Sequence, residues 1–520
     1  MNWQHFANFR GHGILFVMKT INCRWNKLIG DFLTLIAFIL LGVVIAQCFG
    51  KDIWYDEVFS VGMSSHSYRD IIQITANDVH PPLYYFYLKT LHDICAVFFP
   101  KVSEIIIFKL SSVLPAVGIF VIGFTSIRKE FGRRNMGLFL FLFMAMPQLA
   151  NYMVEIRMYS LASFFITLAF IMTIRIANEK GKQYINFIVL FLCGIFTAYT
   201  QYYACIAIIA LYINLLIWIL LKMDKRVYLK YWIVSVLCSI ICYLPWLFVL
   251  KKQLEKVTEN YWILPLTFRS LFGCIKYIFL PVSIDIKADY ILAVLMILVT
   301  VIAFILFIVK KPSKDQLFFV FSGFFMIALV IAAGFIFSIL NRPIFIYRYM
   351  IPCLPVIWLI IAFLLNRMID KRWTLLLLLP FIIAGFFSMK GFYQEEHKKF
   401  EQMKTTEEAL DQIPRDAVII TNFDHVQAIS AFYLPNDLYL YGGGLDPLVS
   451  SMFENSGHVC DDAKVVNLVA QNKKIYYLGS FNTREDIIAA WDKLGITAKE
   501  EGSYLLERYW FNIYQLYEKE

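Results

Sequence analysis

The chain has 520 residues, of which 59% are hydrophobic and 17% charged, with a formal net charge of +9. A soluble globular protein carries roughly a quarter charged residues, so this composition excludes an ordinary water-soluble enzyme. The basic excess sits in short connections between apolar runs, which makes it a topological signal rather than a nucleic-acid footprint.

Residues 1–27 are polar, basic and aromatic and read as a cytoplasmic N-terminal segment; Met18-Lys19 resembles an alternative start. About eleven apolar runs follow, at 28–48, 105–127, 136–150, 158–177, 185–200, 204–221, 231–250, 290–309, 317–340, 350–366 and 373–389. Such runs suit helices crossing roughly 30 Å of hydrocarbon. The first is too long for a signal-peptide core and lacks a small-residue cleavage site, so it reads as retained.

Orientation comes from the cations. Alternate connections carry Arg128, Lys129, Arg133 and Arg134, then Arg175, Lys180 and Lys182, then Lys222, Lys225, Arg226 and Lys230. Lys310, Lys311 and Lys314 continue the series, followed by Arg367, Lys371 and Arg372. The positive-inside rule makes these cytoplasmic. The loop 49–104, the connection 251–289 and the tail 390–520 are then expected outside the cytoplasm.

That first outer loop holds Trp54-Tyr55-Asp56-Glu57 and, further on, Asp78-Val79-His80-Pro81-Pro82-Leu83-Tyr84-Tyr85. A carboxylate near a span end is partly desolvated, which strengthens it as a base unless a cation restores the charged form. Interfacial anchoring by Trp54 and Tyr55, with solvated acids, is the rival reading. Two prolines fix their own φ and push the residue before each away from helix, so Asp78 and His80 sit at a rigid corner. The stretch 83–99, broken by Lys89, His92 and Asp93, reads as a helix lying in the membrane interface. A capped surface helix is the alternative.

Two arginines break the charge pattern: Arg157 in Glu155-Ile156-Arg157-Met158-Tyr159, and Arg348 in Tyr347-Arg348-Tyr349-Met350-Ile351-Pro352. Ionisable groups at membrane depth are costly and are usually paired or functional. A guanidinium offers bidentate donors to phosphate oxygens. Glu155 and Arg157 could equally form a structural pair.

After Met389 the composition returns to that of a soluble domain. Ala417-Val418-Ile419-Ile420 and Lys474-Ile475-Tyr476-Tyr477-Leu478 read as strands. Stretches 424–433 and 483–494 read as helices, the second capped by Asn482 or Thr483. Strands alternating with helices suggest a small α/β layer domain. Gly442-Gly443-Gly444 reads as a turn. Cys460 is the one cysteine of ten in this tail; most others lie in apolar runs, so no disulfide framework is implied. The expected architecture is a multi-pass α-helical membrane protein, residues 28–389, followed by an extracytoplasmic α/β domain, residues 390–520.

The four motifs in this order and topology resemble the GT-C membrane glycosyltransferases. The likeness is to the dolichyl-phosphate-mannose protein mannosyltransferase-like superfamily, with its bacterial aminoarabinose and galacturonic acid transferases, and covers about residues 28–390. The resemblance implies an enzyme in the bacterial plasma membrane that takes a monosaccharide from a polyprenyl-phosphate donor and inverts the anomeric centre. The acceptor would be an extracytoplasmic glycan, lipid or protein. Asp56 would be the catalytic base and Glu57 a supporting acid. Asp78, His80, Lys89, Glu155, Arg157, Tyr347 and Arg348 would bind donor phosphate or substrate. A divalent cation is the one cofactor the acids could hold, without a complete ligand set. A lipid-substrate transporter and an en bloc oligosaccharyltransferase are the competing readings; the transporter should show internal repeats, and none is evident.

Overall fold

The computed structural model describes residues 27–50, 52–222, 225–257, 265–282, 285–340, 342–368, 372–444, 447–471 and 473–519. The reading of 1–27 as a cytoplasmic segment therefore lies outside the described residues, apart from Lys27. Nine described helices are long and apolar enough to cross a membrane. They are α1 (Lys27–Gln47), Glu104–Phe131, Tyr159–Ala177, Tyr202–Lys222, Arg226–Glu255, Ile286–Val309, Lys314–Leu340, Tyr347–Met368 and Leu375–Leu410. The chain is a multi-pass membrane protein.

Two of the eleven expected spans fall short. Within 136–150 the helix Arg133–Ala145 has 13 residues and stops at Met146, which is extended at ψ 157°. Pro147 follows, and the residue before proline is pushed out of the helical region. Gln183–Ala198 has 16 residues. It stops because Gln201 accepts the Ala204 amide at 2.6 Å and starts the next helix. At roughly 1.5 Å per residue, neither reaches the length of its neighbours. The connection 251–289 also differs from a plain loop, since Phe268–Phe279 is helical.

The chain divides into two compact units. One contains most of the spanning helices. Its centre is Leu354–Met368, where nearly every side chain is buried by neighbouring helices. Helices approach closely where side chains are absent: a Cβ on Gly137 would strike the backbone of Gly30. Small residues at such crossings let helix backbones pack without a hydrophobic driving force. An apolar cavity of about 620 Å³ in this unit is lined by Tyr202, Tyr203, Trp232, Tyr243 and Phe337 among others.

The second unit is Gln47–Ser112, Val154–Arg157 and Tyr393–Glu520. Its front part holds α2 (Tyr55–Ser65), α3 (Tyr68–Asn77), α4 (Leu83–Phe98) and the first turns of α5 (Glu104–Phe131). Its tail is a six-stranded sheet of β1 (Val418–Thr421), β2 (Leu438–Tyr441), β3 (His458–Cys460), β4 (Ile475–Ser480), β5 (Ile496–Leu506) and β6 (Tyr509–Glu518). The strand order is β3-β2-β1-β4-β6-β5, parallel from β3 to β4, with β6 antiparallel to both β4 and β5. The two strands expected from sequence are β1 and β4, at the centre, where burial on both faces makes continuous apolar runs. The expected helices form at Asp424–Tyr433 and Thr483–Lys493. Asn482 occupies the N-cap of the second, but its side chain makes no capping bond. Trp491 is fully buried under the sheet and donates to Asp462 at 3.1 Å.

The helix α2 is embedded in this unit. Gly62 allows the Met452 carbonyl to within 2.8 Å of where a Cβ would sit. His66 bonds the Ser451 carbonyl at 2.6 Å.

Candidate active site

The site is built on the first turn of α2. Trp54 is the extended N-cap, so Asp56 and Glu57 fall in the first turn, where the helix dipole favours negative charge. Glu57 turns back as in a capping box, and its Oε2 accepts the Trp54 amide at 3.2 Å. Its Oε1 accepts the amide of Ile156 at 2.7 Å. Glu57 is thus a buried clamp between α2 and the segment Val154–Arg157. Burial pushes its carboxyl up to about 7, with the charge of Lys109 and the two amides pulling the other way.

The clamp on Ile156 positions the next residue. Arg157 is 3% exposed and donates from Nη1 to the Asp56 carbonyl at 3.0 Å and to the Ser60 hydroxyl at 3.4 Å. Its Nη2 lies 3.7 Å from Asp56 Oδ2 and 3.3 Å from His80 Nε2. A guanidinium only donates, so His80 Nε2 is the acceptor and the ring proton sits on Nδ1. That proton points to Asp78 Oδ2 at 3.0 Å. Asp56, Arg157, His80 and Asp78 therefore form one connected row, its far end held by the Pro81-Pro82 entry to α4. Of the two adjacent acids, Glu57 is enclosed while Asp56 keeps 24% of its side chain exposed. Asp56 is the one that can meet a substrate.

Five of the nine expected site residues converge here: Asp56, Glu57, Asp78, His80 and Arg157. Glu155 lies beside them, its carbonyl accepting the Arg157 amide at 2.7 Å. Arg157 forms an ion pair with Asp56 at 3.7 Å. Lys89 turns to other partners, pairing with Asp93 at 3.2 Å and donating to the Ser64 carbonyl at 3.4 Å. Tyr347 and Arg348 belong to the other unit, half-buried in the 3-10 turn Tyr347–Cys353. There Tyr347 packs on Tyr277 at 5.9 Å between ring centroids.

Sequence reasoning missed three participants. Lys109 is 1% exposed and pairs with Asp52 at 2.9 Å. Its signal was a lone lysine inside the apolar run 105–127, where an ionisable group calls for a partner. Glu507 accepts the Tyr55 amide at 3.3 Å from 452 positions away. His425 stacks on Tyr55 with centroids 3.9 Å apart. Nothing local in the sequence marks either contact. Among the described residues no group of three or more His, Cys, Asp or Glu side chains is arranged to hold a metal ion, and Asp56 faces a guanidinium.

No protein-family model matches the chain, and no curated protein sequence matches it. Solved structures do. ArnT from Cupriavidus metallidurans in the apo state is 12% identical with a TM-score of 0.58, the match covering 94% of this chain and 98% of that one. ArnT from the same organism bound to undecaprenyl phosphate is 12% identical with a TM-score of 0.56, over 94% and 97%. At that identity the likeness is one of fold, and it runs through both the spanning helices and the tail. The chain has the GT-C membrane glycosyltransferase fold.

Proposed function

We propose that this protein is a glycosyltransferase that moves a monosaccharide from a polyprenyl-phosphate donor to a hydroxyl of an extracytoplasmic acceptor, with inversion. The observation that carries the reading is the Asp56–Arg157 pair: an accessible carboxylate whose direction is fixed by a buried guanidinium. Asp56 takes the acceptor proton as the acceptor oxygen bonds to the anomeric carbon. The bond from that carbon to the phosphate oxygen breaks in the same displacement, and polyprenyl phosphate leaves. A positioned base typically contributes about 10²–10⁴-fold.

Glu57 acts through Arg157 and is a positioning residue. His80 and Asp78 brace the other side of the guanidinium. Arg348, at a span end, takes the role of phosphate partner, where cationic donors stabilise charge on the leaving group. The apolar cavity beside Tyr203 and Trp232 suits a polyprenyl chain. ArnT, whose fold this chain shares, has been solved with undecaprenyl phosphate bound, which supports a lipid-linked donor. The alternating cations support an orientation with Asp56 and the tail outside the cytoplasm.

The test is direct. Purified protein is incubated with radiolabelled polyprenyl-phosphate sugars and a membrane extract, and the product is identified by mass spectrometry. The expected outcome is one sugar residue moved to an envelope acceptor. Transfer of a whole glycan, or no transfer with any donor, would contradict the reading.

A further inference from the structure

The sheet of the tail has one place where chain order reverses. From β1 the chain moves outward to β2 and β3, then returns to place β4 on the other side of β1. In open sheets of this kind ligands bind outside the carboxyl ends of the strands at that switch point. Here those ends carry Phe423, Asp424 and His425 after β1, and Phe481 after β4. Because β6 runs antiparallel to β4, with Ser480 opposite Phe511, the turn between β5 and β6 lies at the same edge. That turn contributes Glu507 and Arg508, and β6 opens with Tyr509.

The rim is continuous. His425 lies between Tyr55 at 3.9 Å and Phe423 at 4.8 Å, all nearly parallel. Phe423 meets Phe481 and Tyr509 edge-on, both at 4.9 Å. Arg508 lies 5.3 Å over the Tyr509 ring, and its Nε donates to the Tyr509 hydroxyl at 3.2 Å. Asp424 holds His425 Nδ1 at 2.9 Å. Tyr55 is the neighbour of Asp56, so this rim ends at the proposed base.

Two residues are held there at a conformational cost. Phe481 and Glu507 both have φ of +58°. Glu507 is the first residue of a two-residue hairpin loop, a position that ordinarily takes glycine. Its carboxylate justifies the strain by accepting the Tyr55 amide at 3.3 Å. Phe481 is held through its backbone, its carbonyl accepting from Arg484 Nη1 at 2.8 Å and from the Arg484 amide at 3.3 Å, and this leaves its ring 50% exposed. Strained non-glycine residues persist where the surroundings, or a ligand, require their side chains.

We infer that this rim is the acceptor subsite and that it takes a pyranose ring, an inference that rests on the transferase reading for its placement beside Asp56. Flat apolar faces alternate here with fixed hydrogen-bonding groups. The C–H face of a sugar ring suits Phe481 and Tyr509. Its hydroxyls suit the Asp424 and Glu507 carboxylates and the Arg508 fork, since bonds to charged groups are the stronger ones. Arg508 pairs with Glu507 at 3.4 Å, and its charge acts on Asp56, so both variants are judged by ligand binding and not by turnover.

The experiment measures binding without turnover. Full-length protein in detergent is mixed with methyl pyranosides, with a tetra-alanine peptide as comparison, and saturation transfer from protein to ligand protons is read by NMR. At least one pyranoside should bind, at least about tenfold more weakly in Phe481→Ala and in Arg508→Ala, a difference readily read on the affinity scale. Both variants should bind undecaprenyl phosphate as the wild type does, which shows them folded. No pyranoside binding, equal binding in both variants, or preference for the peptide would overturn the subsite. Pyranoside binding with these losses, but no sugar transfer in the radiolabel assay, would fault the transferase reading and leave the subsite standing.

Discussion

Glu57 and Asp56 are neighbours with different chemistry, and the difference is environment. Glu57 makes two amide bonds in a buried position, and burial dominates its proton affinity. Its carboxyl rises to about 7 from the unfolded 4.5, so between those values the folded protein holds a proton that the unfolded chain has released. The folded state then binds more protons, and its stability falls as pH rises through that window. Thermal unfolding of the wild type in detergent should show this decline. Glu57→Gln should flatten it, because the amide mimics the protonated form and its oxygen still accepts from Ile156. Glu57→Ala should lower stability at every pH by leaving buried amides without an acceptor, about 1–3 kcal/mol. An unchanged pH slope in Glu57→Gln would locate the titrating group elsewhere. The Asp52–Lys109 pair is the buried counterpart, one whose partner lies outside the helix that carries the lysine.

At the scale of elements, the short segment Val154–Arg157 ties α2 to the Pro81-Pro82 corner. Arg157 does this with one planar fork that reaches the Asp56 carbonyl, the Ser60 hydroxyl, the Asp56 carboxylate and the His80 ring. A lysine supplies a single point of charge and cannot span these partners. Arg157→Lys and Arg157→Ala should therefore both reduce kcat, by about 10²-fold if misplacement of the base is the cause. Near-normal kcat in the lysine variant would mean that charge alone suffices. Much of the element plan was legible in the sequence. The spans announce themselves by apolar length, and β1 and β4 by apolar runs. The Met146-Pro147 break was legible in principle, and the run of apolar residues through 150 concealed it. The strand β5 was missed because its exposed positions include Lys499, Glu500 and Glu501, which dilute the apolar signal; β6 is largely apolar and aromatic, and its signal was legible. The hairpin turn carries Glu507-Arg508 where a glycine would have marked it.

For the whole molecule, composition reveals a membrane protein with a stretch of acids and prolines between its first two spans. It does not reveal what that stretch meets. Asp56, Arg157 and His80 could be nominated as separate unusual residues, yet their order in one row comes from the Ile156 amide seeking the Glu57 carboxylate. The tail was legible as an α/β domain, while its delivery of His425 and Glu507 to Tyr55 depends on pairing over hundreds of residues. Long-range contacts of that kind leave no periodic trace.

The central claim is that Asp56 accepts the acceptor proton in a glycosyl transfer. The measurement is the single-turnover rate of sugar transfer from a labelled polyprenyl-phosphate donor by wild type and Asp56→Asn, with donor binding and thermal unfolding measured on the same preparations. Asparagine keeps the shape and cannot take the proton, so the rate should fall by at least about 10²-fold while donor affinity holds. A transfer rate near that of the wild type in Asp56→Asn would contradict the account.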